Sequence, residues 1–250
     1  MNDFYIGYLP SAPPSIRKRV RLLVAALFVL SIAGAVLFAA SQHQFATSSF
    51  DYGKPTEFSG TISLQPFPTL NADNSSNSDA SGEPSYLLVA PGKFGADSML
   101  AGQHSVHVRL RGTLIHRAEG HMLEVEPGSI TNLPISPPHS FQWRDLGPAT
   151  LNGEIVDTKC FLGVMNPGEG KVHRDCAARC LSGGIPPALI SSDFDGTPRL
   201  YLLTGKDGLP LPKEDFLQKI GQPVSIQGQV LEANSLYYLH TDAADIVSLP

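Results

Sequence analysis

Charge is scarce in this chain. Only 16% of its 250 residues are Asp, Glu, Lys or Arg, the formal net charge is −5, and no Lys or Arg occurs between Arg21 and Lys54. No basic stripe is large enough to track a phosphate backbone, so nucleic acid is not an expected partner. The short signatures of several enzyme classes are also missing: there is no nucleophile elbow, phosphate loop, HExxH helix or EF-hand spacing. Cysteine occurs three times, with no Cys-x-x-Cys pair. An odd number cannot be consumed by disulfides within one chain, and the missing pair removes the commonest zinc-knuckle pattern.

What is present begins with a hydrophobic run. Leu22 to Ala40 carries no charge, and at a rise of 1.5 Å per residue it spans about 28 Å, close to the hydrocarbon core of a bilayer. Arg17, Lys18, Arg19 and Arg21 precede it and nothing basic follows closely. The positive-inside rule then puts 1–21 in the cytoplasm as a tail and the bulk of the chain outside the membrane. A cleaved signal peptide is the alternative, but its apolar region is normally shorter. The tail holds Phe4, Tyr5, Ile6, Tyr8 and Leu9, followed by Pro10, Pro13 and Pro14, and the prolines bar a long helix there.

Beyond the anchor the chain is rich in Gly, Pro and short alternating runs, which argues for β structure. It also carries a degenerate internal repeat. Val108-Arg-Leu-Arg-Gly112-Thr-Leu114 matches Val224-Ser-Ile-Gln-Gly228-Gln-Val230 at an offset of 116, and the register continues through Met122-Leu123 over Tyr238-Leu239, Ile130 over Ile246 and Leu133 over Leu249. Upstream, Tyr86-Leu-Leu88 matches Tyr201-Leu-Leu203 and Gly60-Thr-Ile62 matches Gly153-Glu-Ile155. Four or five short strands per copy resemble an OB-like small barrel, present twice; a two-sheet sandwich would give a similar string. The expected fold class is mainly β: one N-terminal transmembrane helix and two tandem OB-like barrels. The boundaries read as a tail at 1–21, a helix at 22–40, a linker at 41–56, a first barrel at 57–133, a Pro-rich linker at 134–150 and a second barrel at 151–250. The two copies differ in their gaps. The first holds a polar low-complexity loop, 71–82; the second holds all three cysteines, in an insertion at 159–187.

That insertion is the candidate site. Gly163, Pro167, Gly168 and Gly170 bar regular structure after Cys160, whereas Val172 to Leu181 has no breaker and stops at Gly183-Gly184. On a helix, His173, Cys176 and Cys180 share one face. With Cys160 they supply four nitrogen and sulfur donors suited to Zn²⁺, copper or iron–sulfur chemistry, and Met165 adds a soft donor that tilts the set toward copper. The alternatives are a disulfide from Cys160 to Cys176 or Cys180 with one spare thiol, and a reactive thiol. His104, His107, His116 and His121 are weaker ligand candidates, Trp143 reads as a packing anchor, and Asp193, Asp195, Asp207, Glu214 and Asp215 read as turn residues. No catalytic residue stands out.

The string Cys160-Phe-Leu-Gly…Pro167-Gly-Glu-Gly-Lys…His173-Arg-Asp-Cys-Ala-Ala-Arg-Cys180…Gly-Gly-Ile-Pro-Pro187, with Tyr5-Ile-Gly-Tyr-Leu-Pro10 in the tail, resembles a segment of uncharacterised, membrane-anchored bacterial proteins. The resemblance implies bacterial origin and a membrane anchor, and supplies no activity; with the charge pattern above, the expected location is the bacterial inner membrane with the bulk of the chain periplasmic. The expected role is a non-enzymatic accessory or assembly protein of a membrane redox system, with an integral-membrane partner. A metal (Cu or Zn) or haem-handling chaperone and a thiol–disulfide oxidoreductase are the alternatives.

Overall fold

The computed structural model describes residues 13–42, 47–73, 85–134 and 143–250. Two compact units result, Met1–Ala46 and Thr47–Pro250.

The first unit is the helix α1, Pro14–Ser41. It starts eight residues before the apolar run. A proline is tolerated at the first helical position, where no N–H is needed, so the basic cluster lies within the helix. At its end Ser41 Oγ and Gln42 Nε2 both donate to Phe38 O, at 2.8 and 3.3 Å. Its mean hydropathy reaches 2.8 and none of its residues is buried. It is long and apolar enough to cross a membrane. The aromatic tail segment falls outside the described residues.

The second unit is mainly β. The first half contains β1 (Ser48–Phe50), β2 (Thr56–Ser63), β3 (Thr69–Ala72), β4 (Ser85–Ala90), β5 (Phe94–Gly95), β6 (His107–Arg117), β7 (Gly120–Val125) and β8 (Thr131–Asn132). The second contains β9 (Arg144–Asp157), α2 (Arg174–Ser182), β10 (Pro187–Ser191), β11 (Arg199–Gly205), β12 (Pro223–Ala233), β13 (Leu236–Thr241) and β14 (Ile246–Ser248). Each half closes on itself as a five-stranded barrel. In the first, β2 pairs β3 and β6, β3 pairs β4, β6 pairs β7, and β7 returns parallel to β4. In the second, β9, β10, β11, β12 and β13 repeat those pairings in the same order, with β11 and β13 parallel.

The internal repeat is written into the pairing registers. Gly60 pairs Val108 and Gly153 pairs Val224. Leu87 faces Met122 as Leu202 faces Tyr238. Val108 pairs Asn132 as Val224 pairs Ser248, each step at the same offset. The shared glycines are steric requirements. A Cβ on Gly60 would stand 2.2 Å from Asn71 O and one on Gly153 2.0 Å from Ile190 O, so a side chain there would push adjacent strands apart. Alternation along each strand fills the two interiors: Ile62, Leu70, Leu88, Val108, Leu110 and Leu123 in the first, Ile155, Leu189, Tyr201, Leu203, Val224 and Leu239 in the second. A third apolar cluster draws on both halves, including Leu87, Met122, Ile115, Leu202 and Tyr238. The barrels therefore share a core.

Three expectations about connections change. Ser48–Phe50, inside the expected linker 41–56, is a strand paired with β6. Residues 144–150, inside the expected linker 134–150, belong to β9 and pair with β12. Pro148 is accommodated there beside a register shift, the setting in which a strand tolerates proline; residues 135–142 lie outside the described set. Finally, the two gaps occupy different connections. The cysteine segment lies between β9 and β10, where the first barrel has only 64–68. The polar loop follows β3, and its residues 74–84 fall outside the described set.

Candidate metal centre

Residues 158–186 leave the second barrel and return to it. Thr158 clasps the two ends, its N–H and hydroxyl donating to Pro186 O at 3.3 and 2.9 Å. The chain first makes one wide helical turn, Cys160–Val164, closed by Met165 N–H to Cys160 O at 3.2 Å. Phe161 and Leu162 enter the shared core. The loop then folds back over Cys160. A Cβ on Gly168 would lie 2.5 Å from Cys160 O, and Gly170 N–H is tied to Glu154 Oε1 at 2.6 Å. The helix α2 begins after His173, two residues later than expected. Ala177 and Leu181 pack into the second barrel, and Cys176 and Cys180 point together from another face.

The three cysteines converge. Cys160 Sγ is 4.0 Å from Cys176 Sγ and 3.9 Å from Cys180 Sγ, and all three sulfurs lie within 4.8 Å of one another. Cys160 and Cys180 are buried and Cys176 is half-buried; all three are free thiols, with no pair bridged. Three sulfurs bound to one ion at about 2.3 Å stand about 4.0 Å apart in a plane and about 3.8 Å apart in a tetrahedron, so the observed spacing suits a common ion.

His173 occupies a different corner. Its Nε2 is 2.8 Å from Asp157 Oδ2, with both side chains buried, and Asp157 Oδ1 accepts Cys160 N–H at 2.8 Å. Asp157, Cys160 and His173 form a second triad within 4.8 Å, sharing only Cys160 with the sulfur triad. The four expected donors thus come together as two overlapping groups. A buried carboxylate that fixes a ring and a cysteine backbone is the arrangement commonly found behind metal ligands. Met165 is 45% exposed.

Two lysines knit the site to the first barrel. Lys93, on the turn between β4 and β5, places Nζ 2.7 Å from Cys176 Sγ and 3.5 Å from Cys180 Sγ. Its turn rests on the end of α2. Gly95 N–H donates to Gly183 O at 2.9 Å, and a Cβ on Gly183 would be only 1.9 Å from Lys93 O. Gly183 thus permits the close approach as well as ending the helix. In the other direction Lys159, buried, donates to Ala90 O at 2.9 Å, Gly92 O at 2.6 Å and Glu124 Oε2 at 2.5 Å. Arg117 lies 3.9 Å over the Phe161 ring and donates to Phe161 O at 3.2 Å.

These contacts polarise the thiols. The hydrogen bond from Cys160 and the nearby Lys93 ammonium pull Cys180 down to about 7, against the effect of burial. Cys160 is pushed up because it holds the proton shared with Cys180, is buried, and faces the Asp157 charge. The hydrogen bond to Cys176 holds Lys93 protonated. The site is therefore a cationic, partly exposed thiol pocket, the environment that favours thiolate.

Sequence reasoning missed Asp157, Lys93 and Lys159. Asp157 and Lys159 stand just before the insertion's first cysteine, and a carboxylate there was a readable signal. Lys93 lies in the other barrel, and no spacing rule links it to the cysteines. The remaining candidates lie elsewhere. His104 Nδ1 accepts Leu64 N–H, His107 bridges Asp73 and Pro134 O, and His116 stacks on His121 across β6 and β7. Trp143 packs edge-on against Tyr238 and His240 of β13. Asp195 and Asp207 each accept a backbone N–H two residues on, as turn residues do, whereas Asp193 accepts Asn152 N–H of β9. No protein family, no curated protein and no solved structure matches this chain.

Proposed function

We propose that the protein is a membrane-anchored, non-enzymatic accessory or assembly protein of a membrane redox system, and that its second barrel presents a copper(I) site formed by Cys160, Cys176 and Cys180. The single observation that carries the metal reading is the sulfur triangle, with separations of 3.9 and 4.0 Å. Soft thiolates select Cu(I), Zn²⁺ or iron–sulfur clusters. Zn²⁺ in structural sites is almost always four-coordinate, and the fourth donor, His173, has its Nε2 on Asp157 and groups with Cys160 but not with Cys176 and Cys180. Copper(I) is satisfied by three sulfurs, and the adjacent Lys93 ammonium offsets their charge.

Several features support the rest of the reading. The apolar stretch of α1 follows Arg17, Lys18, Arg19 and Arg21 in the same helix, which favours a cytoplasmic N-terminus and barrels outside the inner membrane. No residue of α1 is buried, which leaves it free to face lipid and an integral-membrane partner. The strand order with its parallel closing pair fits an OB-like barrel, a scaffold that commonly binds rather than catalyses. Thiol–disulfide exchange is the second reading, favoured by the Lys93–Cys176 contact.

The test is to purify the full chain in detergent, reduced and without oxygen, and to titrate Cu(I) and Zn²⁺ against chelators. The expected result is about one tightly held Cu(I) with three sulfur neighbours at about 2.3 Å by X-ray absorption. Each Cys→Ser substitution should abolish it, and His173→Ala should weaken it less. Failure to retain copper against a chelator, or equal retention by the three serine variants, would overturn the reading.

A further inference from the structure

Lys93 Nζ and Cys176 Sγ are 2.7 Å apart. Nitrogen-to-oxygen hydrogen bonds span about 2.7–3.2 Å, and sulfur is the larger atom, so this separation is short for an ordinary contact. It suits two atoms joined through one oxygen. Lys93 has no carboxylate or carbonyl partner: its hydrogen-bond acceptors among the described residues are the two sulfurs. The contrast with Lys159, which has three oxygen acceptors, is direct. The approach is also built in, since Gly183 and Gly95 let the Lys93 turn and the end of α2 meet backbone to backbone. Lys93 is exposed and lines an open cleft of about 460 Å³ with Phe94, Ala178, Arg179, Ser182 and Gly183, which gives a small oxidant access to its amine beside the half-buried Cys176.

We infer that Lys93 and Cys176 form a reversible covalent bridge through a single oxygen atom, Nζ–O–Sγ, when the protein meets dioxygen. One N–H bond of the lysine amine and the S–H bond of the thiol break, and an N–O and an O–S bond form. Nitrogen and sulfur together give up four electrons to one dioxygen molecule. One of its oxygen atoms remains in the bridge, and the other leaves as water with the two protons. Four equivalents of an added thiol reverse the step, restoring amine and thiol, releasing the bridging oxygen as water and leaving as two disulfides. The bridge stands on the Lys93–Cys176 geometry alone. Its consequence, loss of one of the three sulfurs from the copper site under oxidation, rests on the metal reading above.

Trypsin makes the test clean, because the peptide Asp175–Arg179 contains Cys176 and neither other cysteine. The full chain in detergent is reduced under argon, half is exposed to air, and both halves are digested without reductant. The expected product in air is the Asp175–Arg179 peptide joined to the peptide carrying an uncleaved Lys93, about 14 Da above the sum of the reduced peptides, one oxygen gained and two hydrogens lost. Dithiothreitol should remove it, and Lys93→Arg, which keeps the charge, should never form it. A linked pair about 2 Da below the reduced sum, the mass of a disulfide or a direct N–S bond, would overturn the proposal, as would a free Cys176 thiol after exposure. Wild-type protein alone decides, so a poorly folding variant does not obscure the result. Copper stoichiometry measured on the argon sample reports separately on the metal reading.

Discussion

The two barrels close with the same registers but spend their connections differently. Between its first two strands the first barrel needs only 64–68; the second extends from 158 to 186 at the same place. Both connections send a phenylalanine, Phe67 and Phe161, into the core that the barrels share. The fold therefore requires an apolar plug at this point and does not require cysteines, a helix or a histidine. What the longer connection adds is a pocket whose walls come from both copies. The duplication supplies the joint, and the insertion supplies the chemistry at it.

The strongest way to break this comparison is at the plug. Phe161 is fully buried, with the Arg117 guanidinium stacked on it and bonded to its carbonyl. Phe161→Ala should cost about 3–5 kcal/mol, the usual range for emptying an aromatic site in a core. It should also weaken metal retention, since residue 161 adjoins Cys160. Phe67→Ala should cost about as much and leave metal retention intact. Urea unfolding and copper titration on both variants check this. Equal loss of metal in the two would mean that the shared core, rather than the insertion, positions the thiols.

The lysines sharpen it further. Lys159 carries its charge from the second barrel into the first, onto two backbone carbonyls and Glu124. Lys159→Met should remove about 3 kcal/mol, because it leaves a largely buried carboxylate and two carbonyls without a donor. Lys93 makes the reverse crossing from an exposed turn, so Lys93→Met should change stability by no more than about 0.5 kcal/mol. Denaturant midpoints of the two variants decide. A large effect at Lys93 would make it a structural clamp and remove the distinction drawn here.

Much of the fold was legible because a repeat encodes its own pairing. The 116-residue offset put Val108 over Val224 and Met122 over Tyr238, and those positions hold matching registers. The repeat also placed Gly60 over Gly153, and the structure shows both to be close approaches between strands. The end of the expected linker, 144–150, was misread because Pro148 looks like a breaker, although in β9 it sits beside a bulge. Within the site, the i to i+4 spacing and the Gly/Pro loop were enough to gather three sulfurs. His173's diversion to Asp157 was not visible, because it depends on how β9 ends. Lys93 was invisible for a stronger reason: the contact exists only once two barrels have docked, and no local pattern records a docking.

The smallest expected effect lies where the copies differ by one residue. His107 and Pro223 are equivalent: Leu133 N–H donates to His107 O as Leu249 N–H donates to Pro223 O, at 2.8 and 2.9 Å. Only the histidine adds side-chain contacts, with Nε2 2.8 Å from Asp73 Oδ2 and Nδ1 3.2 Å from Pro134 O. The hydrogen bond to Asp73 raises the His107 pKa above its ordinary 6.5, outweighing burial. A group whose pKa is raised on folding stabilises fully below its unfolded value, and that contribution fades as pH rises through the folded value. His107→Ala should therefore destabilise the protein more at about pH 5 than at about pH 8, by less than about 1 kcal/mol given the exposure of Asp73. Unfolding midpoints of wild type and variant across that interval measure the difference. A gap that stays constant with pH would mean the histidine acts by packing alone, and the first barrel would then carry no charge-dependent clip that the second lacks.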